Sequence, residues 1–397
     1  MMRPTVLFRA AAVLAVAAVA VSGCSGSGSD SATGGSTSSG ETIKIGYIDN
    51  SGGAFAANYK TAKAGAEYAI KVINDANGIN GVKLELITGD LQNNAGNAPT
   101  LVAKLAGANV IAILGAVASG DCLVACAAAN KAQVPVIAQG AAAPGVLKDA
   151  RPYAFAMAAV DGPQSTPVLT KAMKDGGYKT AAIITDTKTS TTVVQKSIYE
   201  GVFKDTGMTV TSQVSFSQGD SSFTAQVTTI AGAKPDVLAL AAGGDDAGRI
   251  AREVQAQGLK VQLIGTSSLQ SAGAAFYAAG GSAVEGTISA SQYDPQSNDP
   301  IASKLLDQAE KDTNQTDIPL NFAYAYDAVG MLVNAIKKSS ITPTSDIAQA
   351  RTAVRDDIQS QGTFTGMAAQ TSFKEDGTSV RPQLLAIFKG QNFAIQR

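Results

Sequence analysis

Histidine and tryptophan are absent from the chain, and only three cysteines are present. Without histidine there is no Ser-His-Asp triad, no Cys-His pair and no HExxH zinc site. The sequence also lacks a GxxxxGK[ST] phosphate loop, a GxGxxG turn after a strand and a GxSxG nucleophile elbow. These absences argue against an enzyme, and the remaining residues predict neither a cofactor nor a metal site.

An excess of positive charge is also lacking. The chain has 31 Lys and Arg residues against 32 Asp and Glu residues, and it contains no basic run or basic amphipathic helix. Nucleic-acid-binding domains usually concentrate positive charge on one face. We therefore do not expect nucleic acid as a partner.

The N-terminus has the three-part pattern of a secretory signal. Arg3 and Arg9 precede an apolar run over residues 10–21, and no acidic residue occurs in this region. The run is about half of the ~20 apolar residues that span a bilayer, which favours a targeting segment over a membrane span. The tetrapeptide VSGC that ends at Cys24 resembles the lipobox of bacterial lipoproteins. The resemblance implies a signal peptide over residues 1–23 and a lipidated Cys24, with an ordinary cleaved signal as the alternative.

Residues 24–41 are rich in Ser and Gly and have almost no apolar side chains. Such a segment cannot bury enough surface to offset the entropy lost on folding. We predict a flexible linker that tethers the folded part to the membrane.

Cys122 and Cys126 are the two cysteines outside the N-terminal segment. Four residues apart on a helix, they would be separated by about 6 Å along the axis, within the Cα range of a disulfide. An oxidising compartment favours a local disulfide over two buried thiols or a metal site. Structural zinc needs four ligands, and no second cysteine pair or histidine supplies them.

From residue 42 onward, short β-branched runs alternate with longer segments of 3.6-residue periodicity. Several runs, such as NVIAILG and DVLALAAGG, are almost continuously apolar, which is typical of parallel strands covered by helices on both faces. The alternation starts again after VDGPQS at residues 160–165. Because the roughly 355 residues after the linker exceed what one core usually organises, we predict an α/β fold of two doubly wound, Rossmann-like lobes.

The C-terminal part of the chain does not repeat this array. It predicts helices over residues 301–311, 321–339 and 347–358, followed by short antiparallel strands. These elements are too few for a separate core, so they must be shared between the lobes across a hinge. We expect residues 42–158 and 289–360 to form the N-terminal lobe, and residues 159–288 and 361–397 to form the C-terminal lobe.

The binding site is expected at the carboxyl ends of the strands, where loops and helix N-termini expose backbone N–H groups. Six loops meet this condition, and all are rich in Gly, Ala, Ser and Thr: 50–56, 116–121, 139–145, 187–191, 243–246 and 266–270. Small residues let a solute approach the backbone and offer hydroxyl groups. We expect a cleft between the lobes to be lined in this way.

Several residues of these loops also have a structural explanation. Ser119 and Asp121 both suit a helix start, through capping and through the helix dipole. Asp245 suits solvated charge at the start of the next helix. Phe55 could pack in the core instead of covering a solute, and Gly140 could serve a tight exit from a strand.

Segments spread over nearly the whole chain resemble the branched-chain amino acid type of solute-binding protein, the extracytoplasmic subunit of an ABC importer. The resembling segments include, in order, IKIGYIDNSGG, NVIAILGAVAS, VPVIAQGAAAP and DVLALAAGGDDAGRIAREVQAQGL. The resemblance implies a type I periplasmic-binding fold, in which two lobes joined by a three-strand hinge close on a solute and do no chemistry.

The resemblance also implies roles for individual residues of the first lobe. Ser119 lies where the family has a serine that binds the ligand carboxylate. Gly140, Ala141 and Ala142 lie where backbone N–H groups, and commonly a hydroxyl, complete that site. Ala142 departs from the pattern because it has no hydroxyl.

The second lobe departs further from the family pattern. Ser190 and Gly243 stand where aromatic residues are common, and Ser267 stands where amino-acid binders keep an acid for the ammonium group. An ammonium group that is buried without a carboxylate is strongly disfavoured. We therefore expect a small polar or amide-like solute, or an amine held by Asp121 or Asp245 instead.

The expected function is capture of a small solute by a lipid-anchored monomer on the outer face of a bacterial cell membrane. The solute would be delivered to the permease and ATPase subunits of an ABC importer. The alternative is a ligand-sensing receptor of the same fold that reports to a membrane signalling partner.

Overall fold

The computed structural model describes residues 41–160, 165–390 and 392–396. The predicted signal peptide, Cys24 and the linker up to residue 40 lie outside these residues. Within them, the chain forms two sheets that are covered by helices. No helix of the described part is both long and apolar enough to cross a bilayer.

The first sheet contains eight strands. Five come from the first array and pair in parallel, as the almost continuously apolar sequence of most of them predicts. In spatial order the strands are β11 (Phe364–Gly366), β12 (Ala369–Phe373), β13 (Thr378–Val380), β5 (Ala154–Ala159), β4 (Val136–Ala138), β3 (Ala112–Leu114), β1 (Ile43–Asp49) and β2 (Leu84–Asp90).

The second sheet contains seven strands. The five strands from the second array pair in parallel. The two C-terminal strands form an antiparallel hairpin, whose first strand pairs antiparallel with the last strand of that array. In spatial order the strands are β15 (Asn392–Ile395), β14 (Leu384–Lys389), β10 (Ile288–Ser291), β9 (Gln262–Gly265), β8 (Val237–Ala241), β6 (Thr180–Asp186) and β7 (Thr209–Phe216).

Twelve α-helices lie in the described part of the chain. One set packs on the first sheet: α1 (Ala56–Asp75), α2 (Ala98–Gly107), α3 (Ser119–Lys131), α10 (Pro300–Thr313), α11 (Leu320–Lys338) and α12 (Ile347–Ser360). The other set belongs to the second sheet: α4 (Ser165–Asp175), α5 (Ser190–Thr206), α6 (Thr224–Ala233), α7 (Gly244–Ala256), α8 (Ser267–Ser271) and α9 (Gly273–Gly280). Short 3₁₀ turns occupy Ala95–Asn97 and Gly281–Val284.

The predicted fold class is confirmed, but the predicted lobe limits are wrong, by one residue at the end of β5 and by more at the other two. The sequence pattern assigns residues 361–397 to the C-terminal lobe, whereas β11, β12 and β13 extend the first sheet and only β14 and β15 join the second. β13 pairs in parallel with β5, and the Ala156 N–H donates to the Gly377 carbonyl. β10 also continues the second sheet as far as Ser291, past the predicted limit at residue 288. Short strands of alternating polarity do not specify which sheet edge they join.

Three connections join the two lobes: from β5 to α4, from β10 to α10 and from β13 to β14. Gln292, directly after β10, ties two of them together. Its Oε1 accepts from the Ala159 N–H at 2.7 Å, and its Nε2 donates to the Ala159 carbonyl at 2.8 Å. The Tyr324 hydroxyl donates to the same Oε1 at 3.2 Å, so α11 also holds this junction.

Candidate functional site

A small cavity lies between the carboxyl ends of the two sheets. The volume inside it that the centre of a water molecule can occupy is about 40 Å³. One bound water needs only ~10–15 Å³ by the same measure. The described residues around it are small, polar or apolar, and none is charged: Phe55, Asn58, Val117, Ala118, Ser119, Gly140, Ala142, Ala143, Ala158, Thr191, Val194, Gln195, Ile198, Thr266, Ser267, Ser268, Gln292, Leu320, Asn321 and Tyr324. Both lobes therefore contribute to one enclosed site.

Ser119 holds the two first-lobe loops together. It is the first residue of α3, and the preceding residue, Ala118, occupies the N-cap position. The Ser119 Oγ accepts from the N–H groups of Ala142 and Ala143, both at 3.1 Å. The hydroxyl is thus not an N-cap. With both lone pairs occupied, it can act on a solute only as a donor.

Gly140 permits the close packing of these loops. A Cβ at this position would lie 2.8 Å from the Val117 carbonyl oxygen, nearer than real Cβ atoms come to backbone. Gly140 and Ala142 line the cavity, whereas Ala141 is fully buried and does not. Gly140 therefore serves both the tight turn after β4 and the lining of the cavity.

Asp121 lies behind the cavity lining. Its Oδ2 accepts from the Asn50 Nδ2 at 2.9 Å and from the Tyr59 hydroxyl at 2.7 Å. Burial and the Asp121 charge raise the pKa of Tyr59 well above its ordinary value, so the phenol remains a donor. Asp121 thereby braces the loop after β1 against α3 rather than facing the cavity.

The sequence did not single out the carboxamides that line the cavity, among them Asn58 and Gln195. Asn58, on the first turn of α1, donates from Nδ2 to the Ser268 carbonyl of the other lobe at 2.9 Å. Gln195, on α5, donates from Nε2 to the hydroxyls of Thr266 and Ser268 at 3.1 and 2.9 Å. Both side chains are almost fully buried. No local motif marks either residue, because only the folded helices bring them to the cavity.

The rim of the cavity joins the lobes at further points. The Gly120 N–H donates to the Thr191 Oγ1 at 3.1 Å. On the loop after β8, a Cβ added to Gly243 would lie 2.1 Å from the Ala54 carbonyl oxygen of the first lobe. The Asn58 bond to the second lobe adds to these contacts, so the two lobes meet around the cavity.

The acidic residues at the start of α7 do not reach the cavity. Asp245 is exposed, in keeping with solvated charge at a helix N-terminus. Asp246 is buried and forms a 3.1 Å ion pair with Arg249. Burial raises the pKa of Asp246 to about 6, against the opposing effect of Arg249.

Cys122 and Cys126 are joined in a disulfide on α3, with their Cα atoms 5.0 Å apart. Both side chains are fully buried. The bond lies one turn after Ser119 on the same helix, so it staples the helix that presents the Ser119 hydroxyl. Among the described residues, no group of three or more acidic or cysteine side chains could hold a metal ion.

The sequence of the folded part matches a known family model over most of its length. Residues 42–392 correspond to the family described as periplasmic binding protein. The chain belongs to the periplasmic binding protein family. The resemblance noted from the sequence is thereby confirmed.

Individual members of the periplasmic binding protein family are similar over most of both chains. Leu/Ile/Val-binding protein homolog 1 of Brucella suis biovar 1 is 26% identical over 336 residues, covering 80% of this chain and 82% of the relative. The structure of the leucine-binding protein LivK from Thermotoga maritima has a TM-score of 0.79 at 22% identity, covering 90% and 98%. A solute-binding protein of an R. palustris ABC transporter, in complex with benzoate, has a TM-score of 0.76 at 18% identity, covering 89% and 95%.

These neighbours confirm the type I periplasmic-binding fold. One neighbour is named for leucine and another is in complex with benzoate, so the fold alone does not select a solute for this member of the family. Of the residues singled out from the sequence, the structure gathers five around the cavity: Phe55, Ser119, Gly140, Ala142 and Ser267. It places four outside the lining: Asp121, Ala141, Gly243 and Asp245. The side chain of Ser190 lies outside the described part, although its backbone begins α5.

Proposed function

We propose that this chain is the extracytoplasmic solute-binding subunit of an ABC importer and captures a small polar solute between its lobes. The observation that carries the proposal is the cavity with polar groups from both sheets. Ser119 comes from the first lobe, and Gln195 and Thr266 come from the second. Family membership and the ABC transporter neighbour support the same function. The protein acts as a monomer and does no chemistry on its solute.

Capture includes opening and closing about the hinge. The bonds from Asn58 to Ser268 and from Gly120 to Thr191 join the lobes beside the cavity, so a solute enters only when they are broken. The three connections between the lobes provide the pivot, and Gln292 ties two of them together. Phe55, Ser119, Gly140, Ala142 and Ser267 contact the solute in the closed form.

The proposal includes a lipid anchor at Cys24, which keeps the protein at the outer face of the membrane beside its permease and ATPase subunits. Fatty-acid labelling and membrane fractionation test this part. Cys24→Ser is expected to lose the label and leave the membrane fraction, whereas Cys126→Ser keeps both. Label that persists in Cys24→Ser would refute the anchor.

Uptake measurements test the transport function. The solute that co-purifies with the chain is identified by mass spectrometry, and its radiolabelled form is supplied to cells with and without the gene. We expect uptake to fall on deletion and to return on re-expression. If uptake is unchanged while a transcriptional response to the solute is lost, the ligand-sensing alternative is correct instead.

A further inference from the structure

Two carboxamide oxygens of residues that line the cavity are buried and have no hydrogen-bond partner among the described residues. They are the Oδ1 of Asn58, from the first lobe, and the Oε1 of Gln195, from the second. The two residues are 2% and 4% exposed. A buried acceptor without a partner costs free energy. A solute that donates a hydrogen to each oxygen would remove that cost.

The hydrogen-bond network fixes the orientation of both amides. The Nδ2 of Asn58 bonds to a carbonyl, which can only accept, so Oδ1 must point the other way. The Nε2 of Gln195 contacts the hydroxyls of Thr266 and Ser268, which also share one hydrogen with each other at 2.8 Å. An NH₂ group satisfies both hydroxyl oxygens, whereas a carbonyl oxygen would find too few hydrogens. Oε1 is therefore the atom turned away from these hydroxyls and left without a partner.

A third polar group of the lining, the Ser119 hydroxyl, can offer a solute only a donor. Both lone pairs of the Ser119 hydroxyl are occupied by the Ala142 and Ala143 N–H groups, which leaves its hydrogen for a solute acceptor. None of the described residues around the cavity is charged. An ionised group that enters loses its hydration and gains no ion pair from them.

From these groups we infer that the solute is uncharged, with an acceptor for Ser119 and N–H or O–H donors for Asn58 and Gln195. A primary carboxamide or a urea has this pattern, since one carbonyl oxygen and its N–H groups lie within a few bonds. The inference rests on the proposed function and specifies its substrate class.

A zwitterionic amino acid fits this cavity poorly. Its carboxylate would meet the Ser119 hydroxyl, but the neighbouring N–H groups of Ala142 and Ala143 already bond to that side chain. Its ammonium group would meet carboxamide oxygens without a carboxylate, because Asp121 is bonded to Asn50 and Tyr59 behind the lining. Both charged ends would lose hydration without adequate replacement.

Calorimetric titration of the purified full chain with matched probes tests the inference. The neutral set is urea, acetamide and propionamide, and the charged set is acetate, propionate, propylammonium and leucine. We expect at least one neutral probe to bind at least tenfold more tightly than every charged one. Equal or tighter binding of a charged probe overturns the inference but leaves the proposed function intact. If no probe binds, the inference is also overturned, and the uptake assay decides separately on the proposed function.

Substitution of Gln195 gives an independent readout. Gln195→Glu places a carboxylate at the cavity, while the Thr266 and Ser268 hydroxyls can turn to donate to it. We expect affinity for the neutral probe to fall and affinity for propylammonium to rise at least tenfold. Gln255→Glu adds the same charge on the exposed side of α7 and should change neither affinity. If both variants behave alike, the Gln195 side chain does not bind the solute and the inference fails.

Discussion

Gly243 and Ala54 approach each other across the cleft so closely that a Cβ on Gly243 would lie 2.1 Å from the Ala54 carbonyl oxygen. The backbone φ of Gly243 is −68°, which alanine also adopts without strain. A methyl group at this position would therefore act through the contact between the lobes alone.

We predict that Gly243→Ala disfavours the closed form. The apparent solute affinity should fall at least about tenfold, because binding then competes with an opened cleft. X-ray scattering should show a larger radius of gyration in the presence of solute than for the parent chain. Gly232→Ala is the matched control, since a Cβ there meets nothing within 4 Å. Full affinity in Gly243→Ala would contradict closure at this contact.

Ser119→Ala should destabilise the fold as well as weaken binding. It leaves the buried N–H groups of Ala142 and Ala143 without their acceptor, at a cost of about 1–3 kcal/mol in the free energy of unfolding. Urea denaturation without solute measures this loss. Ser221→Ala, in an exposed loop, should change the free energy of unfolding by less than about 0.5 kcal/mol. Equal stability of the two variants would show that Ser119 does not support the loops.

The stability of the protein should depend on pH through Asp327. This carboxyl is completely buried, and burial raises its pKa to about 7 despite the Ala368 N–H, the Arg381 charge and the Met367 N–H. The folded state therefore holds a proton that the unfolded state releases near pH 4. The free energy of unfolding should be greatest near pH 4. It should fall by about 1 kcal/mol per pH unit as pH rises from 4.5 to 6.5, and level off above pH 7.

Urea denaturation at several pH values measures this dependence, and the absence of histidine keeps the interval free of imidazole titration. In Asp327→Asn the free energy of unfolding should be lower at acidic pH, because Nδ2 would face a backbone N–H, and its slope with pH should be smaller. Asp246→Asn serves as the comparison variant, because it removes a different carboxyl whose pKa is raised by burial, to about 6. An unchanged slope in Asp327→Asn would rule out its titration as the cause.

The disulfide on α3 closes a short loop, so its contribution should be modest. With a sequence separation of four between the two cysteines, the loop-entropy relation gives about 2 kcal/mol. The double variant Cys122→Ala, Cys126→Ala should lose about that much stability in urea denaturation. Alkylation of the unfolded, unreduced parent chain should find no thiol at either residue. A reactive thiol there would contradict the bond.

The strands and helices of both arrays could be predicted because buried parallel strands and amphipathic helices leave strong local patterns. The partners of the C-terminal strands could not. β13 and β14 are separated by only three residues, yet they join different sheets. Their placement depends on contacts such as that of Arg381, between these strands, with the Met157 carbonyl at 2.7 Å. The sequence around residue 381 does not reveal this distant partner.

The candidate site could be predicted only in part, because its loops have local sequence patterns but the partners of its side chains are distant in the chain. The rule that solutes bind at the carboxyl ends of strands led to Ser119 and Gly140, which lie in loops. Asn58 and Gln195 lie inside helices, on the first turn of α1 and the second turn of α5, and look like ordinary polar helix residues. Asp121 is in a predicted loop, but Tyr59 binds it from 62 positions earlier in the chain. Position in a loop indicates proximity to the site but not the direction of a side chain.

Native mass spectrometry of the chain purified from the cells that produce it tests the central claim most directly. We predict one bound solute per chain, with an accurate mass that corresponds to an uncharged compound carrying N–H or O–H donors. The solute should be lost from Gln195→Leu and retained in Gln255→Leu. A bound α-amino acid that remains in Gln195→Leu would contradict the account.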